Sequence, residues 1–135
     1  MARILIIDDE PHVLETLRLA FEGQGHEAIL EGESSQAVAT ARDERPDLII
    51  LDLMMPGMDG YQLFHHLSDE ENLLGTPIVI ITARHGKIYE LISLKIGAKL
   101  HITKPFNPLE VVEKMENLLE DSYRQLFINL PRLLL

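Results

Sequence analysis

The chain alternates short, uniformly apolar runs with longer segments in which apolar residues recur every three or four positions. Short apolar runs bounded by turn residues are typical of strands buried on both faces of a parallel sheet, and the longer segments have the spacing of amphipathic helices. Strand and helix alternate five times, which predicts an α/β domain with helices on both faces of the sheet. The runs are Ile4–Ile7, Ala28–Leu30, Leu48–Leu51, Ile78–Ile81 and Leu100–Ile102.

Several polar residues and prolines stand where helices should begin. Pro11 suits the first turn of the first helix, and Ser34 or Ser35 can cap the second. Asp59 and Gln62 match a capping box at the start of the third helix. Helical spacing predicts a fourth helix that carries Ile88, Leu91, Ile92 and Leu94, and a last helix that buries Leu109, Val112, Met115 and Leu119.

The composition limits the function classes that need to be considered. A chain of 135 residues with 46% apolar residues fits one folded domain. The formal net charge of -10 argues against nucleic-acid binding by this segment and is compatible with a divalent cation or a basic partner surface. Because the chain has no Cys, thiolate metal sites and disulfides are excluded.

The amino-terminal residues run directly into the first strand pattern, without the features of a signal peptide. No apolar stretch approaches the ~20 residues that a membrane span requires. We therefore expect a soluble, cytoplasmic protein that does not contact a membrane.

Polar residues whose side chains could bind a ligand or take part in a reaction follow four of the apolar runs. Asp8 and Asp9 follow the first run, Asp52 follows the third and Thr82 the fourth, while Lys104 lies just beyond the fifth. In an open α/β sheet, ligands bind outside the carboxyl ends of the strands, so these side chains are predicted to converge at one edge.

A convergence of this kind has a specific chemical meaning. Crowded carboxylates repel one another by several kcal/mol in a partly buried site, and a divalent cation removes the conflict. All-oxygen ligation suits Mg²⁺. A metal ion and the Lys104 ammonium could neutralise a phosphoryl group while a carboxylate attacks phosphorus, with Thr82 as a hydroxyl donor.

Each residue also has a simpler interpretation when it is taken alone. Asp52 could open a turn, Asp9 could cap the first helix, Thr82 could be a turn residue and Lys104 an ordinary exposed lysine. Their joint occurrence at successive strand ends favours a site.

Four motifs together resemble the receiver domain of two-component response regulators. They are Asp8-Asp9, the run from Leu51 to Gly60, Thr82-Ala83 and Lys104-Pro105-Phe106, and the similarity covers roughly residues 3 to 121. The resemblance implies a CheY-like, flavodoxin-like fold with a five-stranded parallel sheet in the order 2-1-3-4-5. It also implies a signalling domain that undergoes phosphorylation and dephosphorylation on itself, not a turnover enzyme with its own substrate.

The resemblance further implies the roles of the acidic residues. Asp52 would be the phosphoacceptor, supplied by a sensor histidine kinase, a phosphotransfer protein or a small phosphodonor. Asp9, Asp52 and the backbone carbonyl of Met54 would ligate Mg²⁺, and Asp8 would act through a bound water.

The remaining site residues would respond to the phosphoryl group. By the same resemblance, Thr82 would move to bond its oxygens, Lys104 would pair with one of them, and the Lys104-Pro105 peptide would be cis. His101 occupies the place of the usual switch aromatic, three residues before the lysine. Because histidine titrates near neutral pH, we hypothesise a pH-sensitive or altered switch at His101.

Two regions outside the site are candidates for partner contacts. Lys99 and Leu100 replace an acidic pair common in the family, on the surface formed by the fourth helix, the fifth strand and the fifth helix. A homodimer or a downstream partner is expected on that surface. Residues 122–135 exceed the receiver domain, at 1–121, and are expected to prolong the last helix until Pro131 and to contact a second subunit or neighbour.

Two rival functions remain open. One is a receiver-like interaction module that does not use phosphorylation, which the changes at His101 and at Lys99 and Leu100 would allow. The other is a Mg²⁺-dependent phosphatase with an aspartyl nucleophile. Such enzymes usually carry a second Asp two residues after the nucleophile, where this chain has Met54.

Overall fold

The computed structural model describes residues 1–133, and for residues 126, 127 and 129–133 it describes the backbone alone. Five strands and five α-helices alternate as the apolar pattern predicts, and two single-turn 3-10 helices lie between them. The elements are β1 (Arg3–Ile7), α1 (Pro11–Gly23), β2 (Glu27–Glu31), α2 (Ala37–Glu44), β3 (Leu48–Asp52), α3 (Gly60–Asp69), β4 (Ile78–Thr82), α4 (Lys87–Ile96), β5 (Leu100–Thr103) and α5 (Pro108–Leu133).

The strands form one parallel sheet in the order β2-β1-β3-β4-β5, which confirms the predicted topology. Ile7 lies beside Leu51, and Asp52 lies beside Ile81. This register brings the carboxyl ends of β1, β3 and β4 to the same level. The residues that follow these strands therefore meet at one edge of the sheet.

The core consists of two apolar layers, one on each face of the sheet. β3 and β4 are buried along their whole length. One layer packs the sheet against α1 and α5, and the other packs it against α2 and α3. Such a two-sided core explains why the central strands are uniformly apolar and not alternating.

Helix α4 departs from this arrangement. Its predicted apolar residues are largely exposed, with Ile88 at 60%, Leu91 at 54% and Leu94 at 42% of their full accessibility. Ser93 is the only buried residue of α4. The helical spacing was sufficient to predict α4 but did not reveal that its apolar face is uncovered.

Two of the predicted helix caps differ in the structure. Asp59 accepts a hydrogen bond from the N–H of Tyr61, as expected, but no described hydrogen bond joins Gln62 back to it. Neither serine caps α2, because a 3-10 turn at Ser34–Gln36 intervenes. The Ser34 hydroxyl instead donates to the carbonyl of Pro56, at 3.1 Å, in the loop after β3.

Helix α5 buries Val112 and Met115 as predicted, but Leu109 is 64% exposed and Val111 is buried in its place. Pro131 does not end this helix, which reaches Leu133. A proline removes one N–H from the helix, and the described part of α5 extends two residues beyond it. Within the described part of the chain, no helix has both the length and the hydropathy needed to cross a membrane.

Candidate functional site

Three carboxylates surround one ammonium group at the carboxyl edge of the sheet. The Lys104 Nζ atom lies 2.8 Å from Asp8 Oδ2, 2.9 Å from Glu10 Oε1 and 3.2 Å from Asp52 Oδ2. One oxygen of each acid lies within 4.8 Å of the others. Asp8 and Asp52 are buried, and the Lys104 side chain is 12% exposed. The convergence predicted from the strand ends is therefore observed for Asp8, Asp52 and Lys104.

The two buried carboxylates are held in the same way. Asp52 ends β3, and its Oδ1 accepts the N–H of Met54 at 2.9 Å. Asp8 follows β1, and its Oδ1 accepts the N–H of Glu10 at 2.9 Å. In both cases a short aspartate turn fixes one oxygen through the backbone two residues later. The second oxygen of each carboxylate faces Lys104.

The charges in this cluster perturb one another strongly. Burial raises the pKa of Asp8 above its ordinary value, and the nearby Asp52 raises it further, against the opposing effect of Lys104. Burial alone would lower the pKa of Lys104, but the carboxylates of Asp8, Glu10 and Asp52 raise it above its ordinary value. The hydrogen bond from Lys104 lowers the pKa of Glu10. These shifts favour the charged form of Lys104. For Asp8, the attraction of Lys104 offsets only part of the cost of burying an ionised carboxylate.

The donor set fits a hard divalent cation. Asp8 Oδ2 is buried, and the Lys104 ammonium lies 2.8 Å from it. A buried carboxylate oxygen beside two further carboxylates matches the all-oxygen ligation that Mg²⁺ prefers. Asp8, Asp52 and Glu10 are the residues within this group that could hold such an ion.

The other predicted site residues lie next to this cluster. Asp9 is half-buried and lines a cavity of about 700 Å³ together with Met54 and Arg84. Thr82 is buried at the end of β4, and its hydroxyl accepts the N–H of Arg84 at 3.2 Å. Asp9 does not cap α1, whose N-cap residue is Glu10. Metal ligation by Asp9 and by the carbonyl of Met54 stays a prediction.

Glu10 is the residue of the cluster that the sequence did not single out. It is the third acid in a row and precedes Pro11, which begins α1. The turn that ends β1 directs Glu10 back toward Lys104, which is 94 positions away in the chain. An unbroken run of three acids at a strand end was the available signal.

His101, the proposed switch residue, is half-buried on β5. Its Nδ1 atom lies 2.7 Å from the hydroxyl of Ser93 in α4. Its Nε2 atom is buried without a hydrogen-bond partner among the residues described. Burial lowers the pKa of His101, against a smaller opposing effect of Glu90. The peptide between Lys104 and Pro105 is cis, as the resemblance implied.

A family model described as the response regulator receiver domain matches residues 4–116. The chain belongs to this family. Among its curated relatives, the DNA-binding response regulator MtrA of Mycolicibacterium smegmatis is 38% identical over 113 residues, covering 84% of this chain and 48% of the relative. The phosphate regulon transcriptional regulatory protein PhoB of Pseudomonas aeruginosa is 38% identical over 116 residues, covering 86% and 51%.

This receiver domain therefore spans about half the length of the curated relatives it matches. Solved structures agree with the fold. A CheY-like receiver domain protein from Methanospirillum hungatei superposes with a TM-score of 0.83 at 26% identity, covering 93% of this chain and 98% of that one. The BeF3-activated receiver domain of Klebsiella pneumoniae RstA gives a TM-score of 0.79 at 26% identity, covering 87% and 98%.

Proposed function

We propose that this receiver domain accepts a phosphoryl group on Asp52, in a Mg²⁺-dependent reaction with a sensor histidine kinase, a phosphotransfer protein or a small phosphodonor. The observation that carries the proposal is the environment of the Asp52 carboxylate. Its Oδ1 is fixed by the backbone of Met54 and its Oδ2 lies 3.2 Å from the Lys104 ammonium, at the carboxyl edge of the sheet. A positioned carboxylate beside a fixed positive charge is suited to nucleophilic attack on phosphorus.

In the proposed step, one oxygen of Asp52 forms a bond to phosphorus while the bond to the leaving group breaks with its electron pair. The leaving group is acetate when acetyl phosphate is the donor, and imidazole, with one proton taken up, when the donor is a phosphohistidine. Bound Mg²⁺ would neutralise charge on the phosphoryl oxygens. Lys104 pairs with one of these oxygens and the hydroxyl of Thr82 donates to another.

Phosphorylation changes the charge balance of the cluster. It replaces the single negative charge of the Asp52 carboxylate with nearly two negative charges on the phosphoryl group, beside Asp8 and Glu10, which already share the Lys104 ammonium with Asp52. The Lys104 ammonium must then divide its contacts among a larger number of negatively charged oxygens. Because Lys104 directly follows β5 and Thr82 ends β4, this redistribution provides a route from Asp52 to His101 on β5.

The output of the domain is proposed to be protein contact on the surface formed by α4, β5 and α5, with a downstream partner or a second copy of the chain. The exposed apolar residues of α4 support this assignment. The tail at 122–135 is a further proposed contact. The net charge of -10 argues against nucleic-acid binding by the receiver domain itself.

Intact-protein mass spectrometry after incubation with acetyl phosphate and Mg²⁺ tests the proposal. We expect a single phosphoryl adduct that is absent without Mg²⁺ and absent in Asp52→Asn, which removes the nucleophile but keeps the side-chain shape. Folded protein that binds Mg²⁺ and forms no adduct would contradict the proposal and favour the phosphorylation-independent module. Continued release of phosphate from an added phosphomonoester would instead favour the phosphatase.

A further inference from the structure

One side-chain hydrogen bond joins helix α4 to strand β5, and it involves Ser93, the one buried residue of the helix. Ser93 is fully buried, and its Oγ lies 2.7 Å from Nδ1 of His101. A buried serine on a helix whose other residues are half-buried or exposed is the reverse of the usual amphipathic arrangement. The hydroxyl is therefore placed to bind His101 and not to face solvent.

The imidazole ring of His101 is only partly satisfied in this position. If Nδ1 accepts from the Ser93 hydroxyl, Nε2 carries a proton with no acceptor, and if Nδ1 donates, Nε2 is an unpaired acceptor. A hydrogen bond stabilises the ring in its place, whereas a buried polar atom without a partner destabilises it. The position of the half-buried ring therefore depends on its hydrogen bond with Ser93.

The surroundings make this contact important for α4 as a whole. The apolar side chains of Ile88, Leu91 and Leu94 are more than 40% exposed, so apolar burial holds the helix weakly. A cavity of about 220 Å³ beside His101, lined by Glu110 and Lys114 of α5, leaves room for the ring to move once the contact is broken.

We propose that Ser93 is a positioning residue whose hydrogen bond with His101 fixes the imidazole ring and helix α4 together against β5. Breaking this bond frees the imidazole ring and helix α4 from β5 together. The use of this release in signalling rests on the proposed phosphorylation of Asp52. The bond itself is a property of the unphosphorylated domain, and its test requires neither Mg²⁺ nor a phosphodonor.

The first test compares Ser93→Ala with Ser93→Thr, which keeps the hydroxyl, in the full chain. Histidine ring nitrogen NMR reports the state of His101, and amide hydrogen exchange reports the stability of α4. In Ser93→Ala we expect the His101 ring signals to shift and the α4 amides to exchange roughly 2- to 12-fold faster, the change that one hydrogen bond corresponds to. Ser93→Thr should restore both towards wild type.

A matched control removes a serine hydroxyl that makes a purely local bond. The Ser68 hydroxyl donates to the carbonyl of Phe64, four residues earlier in α3. Ser68→Ala should leave the His101 signals and the α4 exchange rates unchanged. Unchanged His101 signals and α4 exchange in Ser93→Ala would overturn the proposal.

A double-mutant cycle keeps the proposal testable even if Ser93→Ala loosens the fold for another reason. His101→Phe retains a ring of similar shape but has no nitrogen to bind Ser93. In that background, Ser93→Ala should have little further effect on α4 exchange, because the bond is already absent. An undiminished effect in the double variant would show that Ser93 acts independently of His101 and would overturn the proposal. Either result stands apart from the acetyl phosphate experiment, which tests Asp52 alone.

Discussion

Helices α1 and α4 have similar apolar patterns but opposite burial. α1 buries Val13, Leu17 and Phe21, whereas α4 exposes its leucines and isoleucines and buries Ser93. The difference follows from their neighbours: α1 packs on β1, β2 and α5, while α4 packs mainly on the edge strand β5. Periodic spacing therefore predicts that a helix forms and which face is apolar, but the position of the helix on the sheet decides how much of that face is covered.

The largest expected effect comes from truncating one leucine on each helix. Leu17→Ala should lower the free energy of unfolding by about 2–5 kcal/mol, because the side chain is fully buried and its loss leaves a cavity. Leu91→Ala, at a site that is 54% exposed, should change it by less than about 0.5 kcal/mol. Urea denaturation measures both values. Equal losses in the two variants would mean that the α4 face is covered in solution.

The contrast between covered and open positions extends to two glycines. A Cβ on Gly60, at the start of α3, would overlap the carbonyl oxygen of Leu53, whereas a Cβ on Gly23, at the end of α1, would meet nothing within 4 Å. We expect Gly60→Ala to cost about 1–3 kcal/mol through backbone displacement. The same shift of the loop after β3 should slow phosphorylation of Asp52.

Gly23→Ala provides the matched control and should be neutral or stabilising by up to about 1 kcal/mol, because alanine is the better helix former. Chemical denaturation and the rate of adduct formation with acetyl phosphate measure the two effects. If Gly60→Ala matched Gly23→Ala in both, the packing of Gly60 against Leu53 would not be a constraint in solution.

A smaller expected effect is a pH dependence of the unfolding free energy that arises from His101, beside α4. Burial lowers the pKa of His101 below its ordinary value of 6.5, so the folded protein favours the neutral ring. At pH values between the lower pKa of His101 in the folded protein and its ordinary pKa in the unfolded chain, the unfolded chain therefore binds more protons. The contribution of His101 to stability is therefore complete above about pH 6.5 and is lost as the pH falls below it.

The charged groups around this ring are Glu90 on α4 and, beside the adjacent cavity, Glu110 and Lys114 on α5. His101→Phe should reduce the loss of unfolding free energy between about pH 7.5 and about pH 5.5 relative to wild type. Denaturant titrations at both pH values provide the comparison. Parallel pH profiles for the two proteins would rule out a proton-sensitive His101.

The fold and three of the four residues in the charged cluster could be predicted because they depend on repeated, local signals. Uniform apolar runs marked the buried strands, and parallel strands that end at one level brought Asp8 and Asp52 to the same edge. The position of Lys104 just beyond the fifth run placed it at the same edge, and the resemblance carried by the four motifs implied the order of the strands. These features require no knowledge of how individual side chains pack.

The features that could not be predicted depend on three-dimensional packing. Glu10 reaches Lys104 because of the angle at which the chain leaves β1, and Val111 replaces Leu109 in the core because of the rotation of α5 about its axis. The bond between Ser93 and His101 joins two elements whose separation is known only from the folded structure. Spacing along the chain carries no information about such angles and rotations.

The matching turns at Asp8 and Asp52 have a consequence for binding entropy. A carboxylate that rotates freely must lose that freedom when it binds a ligand, at about 0.5–1.5 kcal/mol for a side chain with many rotamers. Here one oxygen of each aspartate is already immobilised by a backbone N–H when the domain folds. An ion or phosphoryl group therefore binds between two carboxylates whose positions are already fixed. Because the distance between them is fixed, the site can discriminate between ligands of different size.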